Sequence, residues 1–213
     1  MYSARDLILK RAFDLVAAVT GLVALSPVLA ATGLLVKVSS PGPILYRQPR
    51  VGRHGRTFGL FKFRSMRVHA GGPQITAGSD PRVTPLGKVI RRTKLDELPQ
   101  LFNVLRGDLS LVGPRPEVPR YVALYSEDDR IFLQGVRPGI TDPATIRYRH
   151  EEAILARSPD PERTYIEDVL PAKVRLCRQY LERASFLSDF KVLSDTLQAI
   201  ARPTAAESAP RSP

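Results

Sequence analysis

The chain has 213 residues, 32 Lys and Arg against 21 Asp and Glu, and a formal net charge of +11. Its hydrophobic content of 43% with 25% charged residues excludes a wholly disordered chain, and its single cysteine, Cys177, excludes an intramolecular disulfide framework or a multi-cysteine zinc site. The basic balance points to a polyanionic partner, which could be nucleic acid, an anionic membrane surface or a phosphorylated substrate.

The first predicted element is an apolar run over residues 12–36, AFDLVAAVTGLVALSPVLAATGLLV. As one straight helix it would be about 37 Å long, enough to cross a hydrocarbon core of about 30 Å. Pro27 sits inside it, where it lacks an N–H and clashes with the preceding turn. Ser26 can bond a carbonyl freed near Leu22 or Val23, which lets a bend survive in lipid. Both flanks are basic, with Arg5, Lys10 and Arg11 before the run and Lys37 and an arginine series after it. The positive-inside rule then puts both ends in the cytoplasm. A re-entrant hairpin broken at Ser26-Pro27 reconciles these features, and Asp14 would lie at the interface. A kinked single span, a cleaved signal peptide and a buried core helix are the competing readings.

Between Asp14 and Asp80 there is no acidic residue, while Lys37, Arg47, Arg50, Arg53, Arg56, Lys62, Arg64 and Arg67 all fall in that stretch. A solvated face would mix both signs, so this is a field suited to anions. Residues 39–43 read as a turn cluster, and 44–46 and 58–63 as short extended pieces. Residues 68–79 read as a mobile glycine-rich loop. A short basic helix is expected over 86–92. A second is expected over 96–105, with Pro99 in its first turn and Gly107 as its stop. Another short helix is expected over 119–125.

Two amphipathic helices follow, one carrying Ile166, Leu170, Val174, Cys177 and Leu181, the other Phe186, Phe190, Leu193, Leu197 and Ile200. Both read as packing elements, with Cys177 in the core. The second could also lie on a membrane, although Asp189 and Asp195 weaken that reading. The chain from Arg202 onward is expected to be disordered.

The densest constellation of reactive groups is Arg91-Arg92-Thr93-Lys94-Leu95-Asp96-Glu97. Acidic residues in a first turn can simply stabilise the helix dipole. Beside Arg91, however, an Asp is expected to stay ionised, and an ionised carboxylate is a nucleophile toward phosphorus. A carboxylate pair is also a hard-oxygen site for Mg²⁺, completed by substrate phosphates, and the helix N-terminus would help to bind them. In residues 109–117, Pro114 and Pro116 hold the backbone extended around Arg115, and a stiff loop with one fixed guanidinium suits a phosphate or a planar base. A third stiff turn, Arg137-Pro138-Gly139-Ile140-Thr141, precedes Arg147 and Arg149. Each loop, read alone, could be a plain surface turn. His54, His69 and His150 are far apart and show no ligand spacing. There is no Walker-type loop, G-x-G-x-x-G or Ser-His-Asp arrangement.

Four segments carry a resemblance: KRAFDLVAAVTGLVALSP, VKVSSPGPILYRQPRVGRHGRTFGLFKFRSM, DPRVTPLGKVIRRTKLDELPQLFNVLRGDLSLVGPRPE and VRPGIT. In that order they resemble the bacterial sugar transferase family, the monotopic phosphoglycosyl transferases, in what looks like the small catalytic form. The resemblance implies an α-rich fold with minor β. A re-entrant membrane hairpin would occupy residues 1–38, a compact, mostly helical cytoplasmic domain 39–201, and a disordered tail 202–213.

It also implies transfer of a sugar 1-phosphate from a UDP-sugar to polyprenol phosphate, with Mg²⁺, at the cytoplasmic face of the bacterial inner membrane. This would be the first membrane step of a glycan or exopolysaccharide pathway. Asp96 would attack the β-phosphate to form a phosphosugar ester, and Glu97 would assist as metal partner or base. Arg91 matches the arginine near the phosphates, Pro114-Arg115-Pro116 the motif associated with the nucleotide, and Ser26-Pro27 the hairpin break. Lys62 and Arg64 fall in the basic stretch expected to hold the substrate anions, and Arg149 aligns with the arginine closing the last motif. The chain departs from the pattern just before that arginine: relatives commonly have Gly after the Thr, where this chain has Asp142-Pro143.

Partners expected on this reading are a UDP-sugar, polyprenol phosphate and inner-membrane lipid, with no nucleic acid and with a homo-oligomer left open. A nucleic-acid-binding protein would account for the charge but not for the apolar run, and few aromatics flank the arginines for stacking. A non-catalytic membrane-anchored scaffold is the other rival.

Overall fold

The computed structural model describes residues 2–68, 75–78 and 80–201. Most of the loop expected at 68–79, and all of the tail expected at 202–213, lie outside the described residues.

Helix α1 (Ala4–Ala24) begins in a capping box, in which Ser3 accepts the Asp6 N–H and Asp6 accepts the Ser3 N–H. Helix α2 (Ser26–Ser39) follows after Leu25, and the two axes are bent by 63°. The chemistry of Pro27 explains the position of the break. With no N–H at 27, the Val23 carbonyl loses its i+4 donor, and the Ser26 hydroxyl donates to that carbonyl at 2.8 Å instead. Among the described residues no single helix is long and apolar enough to cross a membrane, but this bent pair together meets the length and composition of a broken span or re-entrant loop. The outer faces of the pair are strongly apolar: Ile8, Val16, Val23, Leu34 and Val38 are 64–71% exposed. Its inner faces are buried, through Lys10, Asp14 and Ala18 on α1 and Thr32, Gly33 and Val36 on α2.

Strands β1 (Leu45–Val51) and β2 (Thr57–Phe63) form an antiparallel pair in register from Leu45↔Phe63 to Val51↔Thr57. A three-ten turn at Arg53–Gly55 closes it, with His54 and Gly55 both at positive φ. Next comes α3 (Pro85–Arg92), capped by Thr84, whose Oγ1 accepts the Gly87 N–H at 2.9 Å. A single three-ten turn, Leu95–Glu97, leads into α4 (Gln100–Arg106), which Gly107 ends at φ 88°.

Strand β3 (Ser110–Val112) is followed by α5 (Pro119–Val122) and α6 (Glu127–Gln134) and pairs in parallel with β4 (Gly139–Thr141). The backbones of Gly113 and Gly139 touch there, since a Cβ on Gly139 would lie 2.1 Å from the Gly113 nitrogen. Helices α7 (Pro143–Arg147), α8 (Glu151–Leu155) and α9 (Pro161–Thr164), a π-helical turn at Tyr165–Val169, α10 (Leu170–Glu182) and α11 (Phe186–Ala201) complete the described chain. The result is mostly helical with two small sheets, as expected.

Among the described residues, four apolar clusters organise the fold. Ala18 of α1 joins Leu60, Val104 and Leu109, and Val36 of α2 joins Phe63 and Ile90. The inner faces of the bent pair are therefore continuous with the core beneath the β1–β2 sheet. A third cluster gathers Val118, Tyr121, Leu155, Tyr165, Val169 and Leu170, and a fourth Val136, Leu181 and Ala184.

The expected stripe on α10 is buried at Leu170, Val174, Cys177 and Leu181. The stripe on α11 behaves differently: Phe190, Leu197 and Ile200 are exposed, and the buried residues are Asp189 and Val192. Asp189 turns inward beside Val192 because it answers buried Lys10 and accepts from the Tyr2 and Tyr180 hydroxyls.

Candidate active site

The Asp96-Glu97 pair is placed from both sides by packing. On one side Leu95 packs on Val36, Phe63 and Ile90, and on the other Leu101 and Leu105 pack on Ala18, Leu60 and Val104. Lys94, in the left-handed region at φ 58°, turns the chain between α3 and the three-ten turn, and its carbonyl accepts the Glu97 N–H at 3.1 Å. The dyad was expected to open a continuous helix. It lies instead in the separate three-ten turn before α4, because Pro99 at the N-cap supplies no backbone donor to the preceding turn.

Asn103 fixes how α4 sits against β2. Fully buried, it accepts the Phe61 N–H at 2.9 Å and donates to the Gly59 carbonyl at 2.9 Å and to Asp108 at 3.1 Å. One side-chain amide thus satisfies the free edge of β2, and Lys62 on that strand is set beside the dyad.

Glu97 is the anchored carboxylate. Its Oε1 accepts from Arg115 Nη2 at 2.6 Å and lies 3.7 Å from Lys62 Nζ. The second nitrogen of Arg115, Nη1, donates to the Ile140 carbonyl at 2.9 Å, which holds the guanidinium at both ends. Burial alone would raise the Glu97 pKa, but Arg115, Lys62 and Lys94 overcome it and hold the carboxyl well below the usual range. Burial brings Lys62 down to about 8, against the opposing pull of Glu97.

Asp96 is the bare carboxylate. It is 6% exposed, and its Oδ1 is buried with no hydrogen-bond partner among the described residues. Burial, and then the Glu97 charge, raise its pKa, and Lys62, Lys94 and Arg91 offset only part of that. Arg91, expected to keep Asp96 ionised, acts in that direction but is the smallest of the three opposing influences, and its guanidinium pairs with Glu152.

Of the other expected residues, Pro114, Arg115 and Pro116 form the loop after β3 that delivers Arg115 to Glu97. Arg64 is used elsewhere. It is buried and donates to the carbonyls of Val36, Ser40 and Pro41 at 3.0, 2.7 and 2.8 Å, closing the C-terminal end of α2. Arg149 bonds His150 Nε2 at 2.8 Å and the Ala199 carbonyl of α11 at 3.3 Å. Sequence reasoning gave no role to Asn103 or Glu117. Glu117 accepts from Arg50 at 2.8 Å, from the Val118 N–H at 2.8 Å and from the Tyr165 hydroxyl at 2.5 Å, tying the Pro114–Pro116 loop to β1 and the π-helical turn. The signal for both was a polar side chain set among apolar neighbours, which becomes informative only once burial is known.

Among the described residues no group of three or more His, Cys, Asp or Glu side chains is gathered to hold a metal. Mg²⁺ needs only one or two carboxylates when phosphates supply the remaining oxygens. The partnerless buried Oδ1 of Asp96, next to the Glu97 carboxylate, fits such an ion.

The site is thus a bare carboxylate beside an anchored one, with Arg115 and Lys62 at the anchored one. The chain belongs to the bacterial sugar transferase family, whose profile matches residues 5–203. It is 41% identical over 201 residues, 91% of its length, to an undecaprenyl-phosphate glucose phosphotransferase of Komagataeibacter xylinus, and covers 36% of that protein. It is 44% identical over 142 residues, 65% of its length, to a UDP-N-acetylgalactosamine-undecaprenyl-phosphate N-acetylgalactosaminephosphotransferase of Aeromonas hydrophila, and covers 34% of it. With an uncharacterized sugar transferase of Bacillus subtilis it shares 37% identity over 194 residues, spanning 91% of this chain and 88% of the relative. The chain thus spans about a third of the first two relatives and most of the third.

Proposed function

We propose that this protein transfers a sugar 1-phosphate from a UDP-sugar to polyprenol phosphate, undecaprenol phosphate by analogy with its relatives, at the cytoplasmic face of the bacterial inner membrane. This would be the first membrane step of a glycan or exopolysaccharide pathway. The observation that carries the reading is the buried, unpartnered Oδ1 of Asp96 beside a neighbour already held by Arg115 and Lys62. One carboxylate of the pair is committed and the other is left to react.

In the first half-reaction an Asp96 oxygen forms a bond to the β-phosphorus of the donor. The bond from that phosphorus to the oxygen bridging the α-phosphate breaks, and uridine monophosphate leaves with the electron pair. In the second, a phosphate oxygen of the polyprenol phosphate attacks the same phosphorus and Asp96 leaves as a carboxylate. A carboxylate stripped of water and raised in basicity is the more reactive nucleophile.

Held below its usual range, Glu97 is a weak base, which favours the metal-partner role over proton abstraction. Arg115 and Lys62 supply fixed positive charge where the phosphates must lie. Arg91 reaches the phosphates on this reading by exchanging Glu152 for them. Mg²⁺, held by Asp96 and Glu97 together with the substrate oxygens, would neutralise the diphosphate charge.

The height of the site above the lipid is set, on this proposal, by residues 1–38 as a re-entrant anchor, with 39–201 as the catalytic unit. The apolar outer faces of α1 and α2 support that assignment, as do the exposed Leu187, Phe190, Leu197 and Ile200 of α11. Asp189, which weakened a membrane reading of α11, points inward.

The test is to trap the intermediate. Enzyme, labelled UDP-sugar and Mg²⁺ without acceptor should give one sugar-phosphate per active chain, mapped to Asp96 and removed by hydroxylamine. D96N should leave no adduct and lower turnover by about 10³-fold or more, since it removes the attacking charge. A label on another residue, or near-normal turnover of D96N, defeats the assignment.

A further inference from the structure

Asp142, which departs from the usual sequence pattern, is fully buried and has three protein partners. Its Oδ2 accepts the backbone N–H of Arg115 at 2.9 Å and lies 3.0 Å from the Cys177 thiol, which donates to it. Its Oδ1 accepts the Thr145 N–H, the N-cap bond of α7. The parallel pairing of β3 and β4 makes this meeting possible, because it brings both strand C-termini to the same edge: the loop after β3 carries Arg115 and the residue after β4 is Asp142. Two more bonds lace the loops together, Gly113 N–H to the Thr141 carbonyl and Gly139 N–H to the Pro114 carbonyl, each at 3.0 Å.

An N-cap needs only one oxygen, and Ser, Thr or Asn would serve as well. The second oxygen is the informative one. Arg115 lies between two prolines, so neither neighbour has an N–H, and its own amide is the only backbone donor in the Pro114–Pro116 stretch. That one donor meets a buried carboxylate oxygen, a charge-assisted bond. The guanidinium of the same residue runs on to the Ile140 carbonyl and Glu97.

We propose that Asp142 is a positioning residue for the transfer reaction: it grips the backbone of Arg115 so that the Arg115 guanidinium meets Glu97 beside the nucleophile. The proposal rests on the reading of Asp96, Glu97 and Arg115 as the reacting site. Cys177 donates to the same Oδ2 from α10, which links the Arg115 loop to the helical layer behind it. Without that grip the backbone from which the Arg115 side chain extends is free to shift, and a displacement of about 1 Å at such a group lowers turnover by up to about a hundredfold.

The experiment uses the full chain in detergent or lipid with D142N, R115Q and the double variant. Asn keeps the volume and can still cap α7, but in that pose it turns an N–H donor toward the Arg115 N–H and the thiol. D142S, which keeps the cap and is too short to reach Arg115, is the second variant should D142N fold poorly.

Two readouts are taken. Amide hydrogen exchange over residues 113–117 should rise about tenfold or more in D142N or D142S while the α1 and α4 segments stay unchanged. Single-turnover release of uridine monophosphate should fall about ten- to a hundredfold in D142N, yet adding D142N to R115Q should lower it by less than about twofold. Unchanged exchange over 113–117, or a full additive loss on the R115Q background, overturns the proposal. The exchange measurement does not depend on turnover. Failure of the wild type to release uridine monophosphate from any UDP-sugar would sink the functional reading, whereas failure of the cycle with an active wild type would sink only the role of Asp142.

Discussion

Lys62 is the residue whose titration separates activity from stability. Burial lowers its pKa from 10.5 to about 8, and its charge lies 3.7 Å from Glu97. As pH rises through about 8 the folded protein loses that cation, so kcat/KM should fall along an alkaline limb centred there. The stability effect has the opposite sign. Between about 8 and 10.5 the unfolded chain holds more protons at this group than the folded one, so this lysine's contribution to stability rises with pH across the window. K62R cannot deprotonate in that range and should abolish the limb in a pH–rate profile. A limb that persists unchanged in K62R belongs to another group.

At the scale of elements the proposed re-entrant anchor turns on the break between α1 and α2. Ser26 and Pro27 act together there, the proline removing a donor and the serine hydroxyl answering the Val23 carbonyl. P27A restores the N–H and should allow the run to straighten into a helix able to cross the core. Cysteine labelling of intact cells near Tyr2 and in the tail near Ser208 should show neither end accessible from outside in the wild type. One newly labelled end in P27A is the expected outcome. Unchanged labelling would mean that Arg64, which binds the carbonyl ends of α2, and the buried face of α1 hold the bend without proline. One externally labelled terminus in the wild type would replace the hairpin with a true span.

Across the whole molecule, the beginning and the end of the described chain are locked together. Lys10 of α1 and Asp189 of α11 form a buried ion pair, and the Tyr2 and Tyr180 hydroxyls donate to the same carboxylate. Phe13 adds ring contacts to Phe186 and Phe190, with centroids 6.0 and 5.0 Å apart. Removing one partner leaves a buried charge uncompensated, so D189A should lower unfolding stability by about 3–5 kcal/mol in denaturant titrations. The K10M/D189L pair removes both charges and should recover most of that loss. If the double variant is as unstable as D189A, the hydrogen bonds of the two tyrosines, rather than the ion pair, carry the contact. The lock also keeps α1 in contact with the helical layer, and α1 carries Asp14 to the Leu111 N–H within β3, the strand that leads into the loop presenting Arg115.

The sequence by itself determined the elements whose cause is local. Proline at 27, glycine at 107 and the apolar run place the helix pair and the end of α4 because backbone donors and left-handed turns act over a few residues. The dyad and the stiff loop around Arg115 were legible for the same reason, being short motifs of charge and proline. What the sequence could not show was which charge answers which. Arg91, close before the dyad in sequence, pairs with Glu152, while Arg115, beyond α4 and β3, pairs with Glu97.

Arg64 in the basic series closes a helix end, and Asp189 turns to the inward side of α11 because it meets Lys10 from the other end of the chain. Those outcomes depend on desolvation and on contacts between residues far apart in sequence. Only the tertiary structure decides them, because a carboxylate is stabilised or left bare by what surrounds it in space.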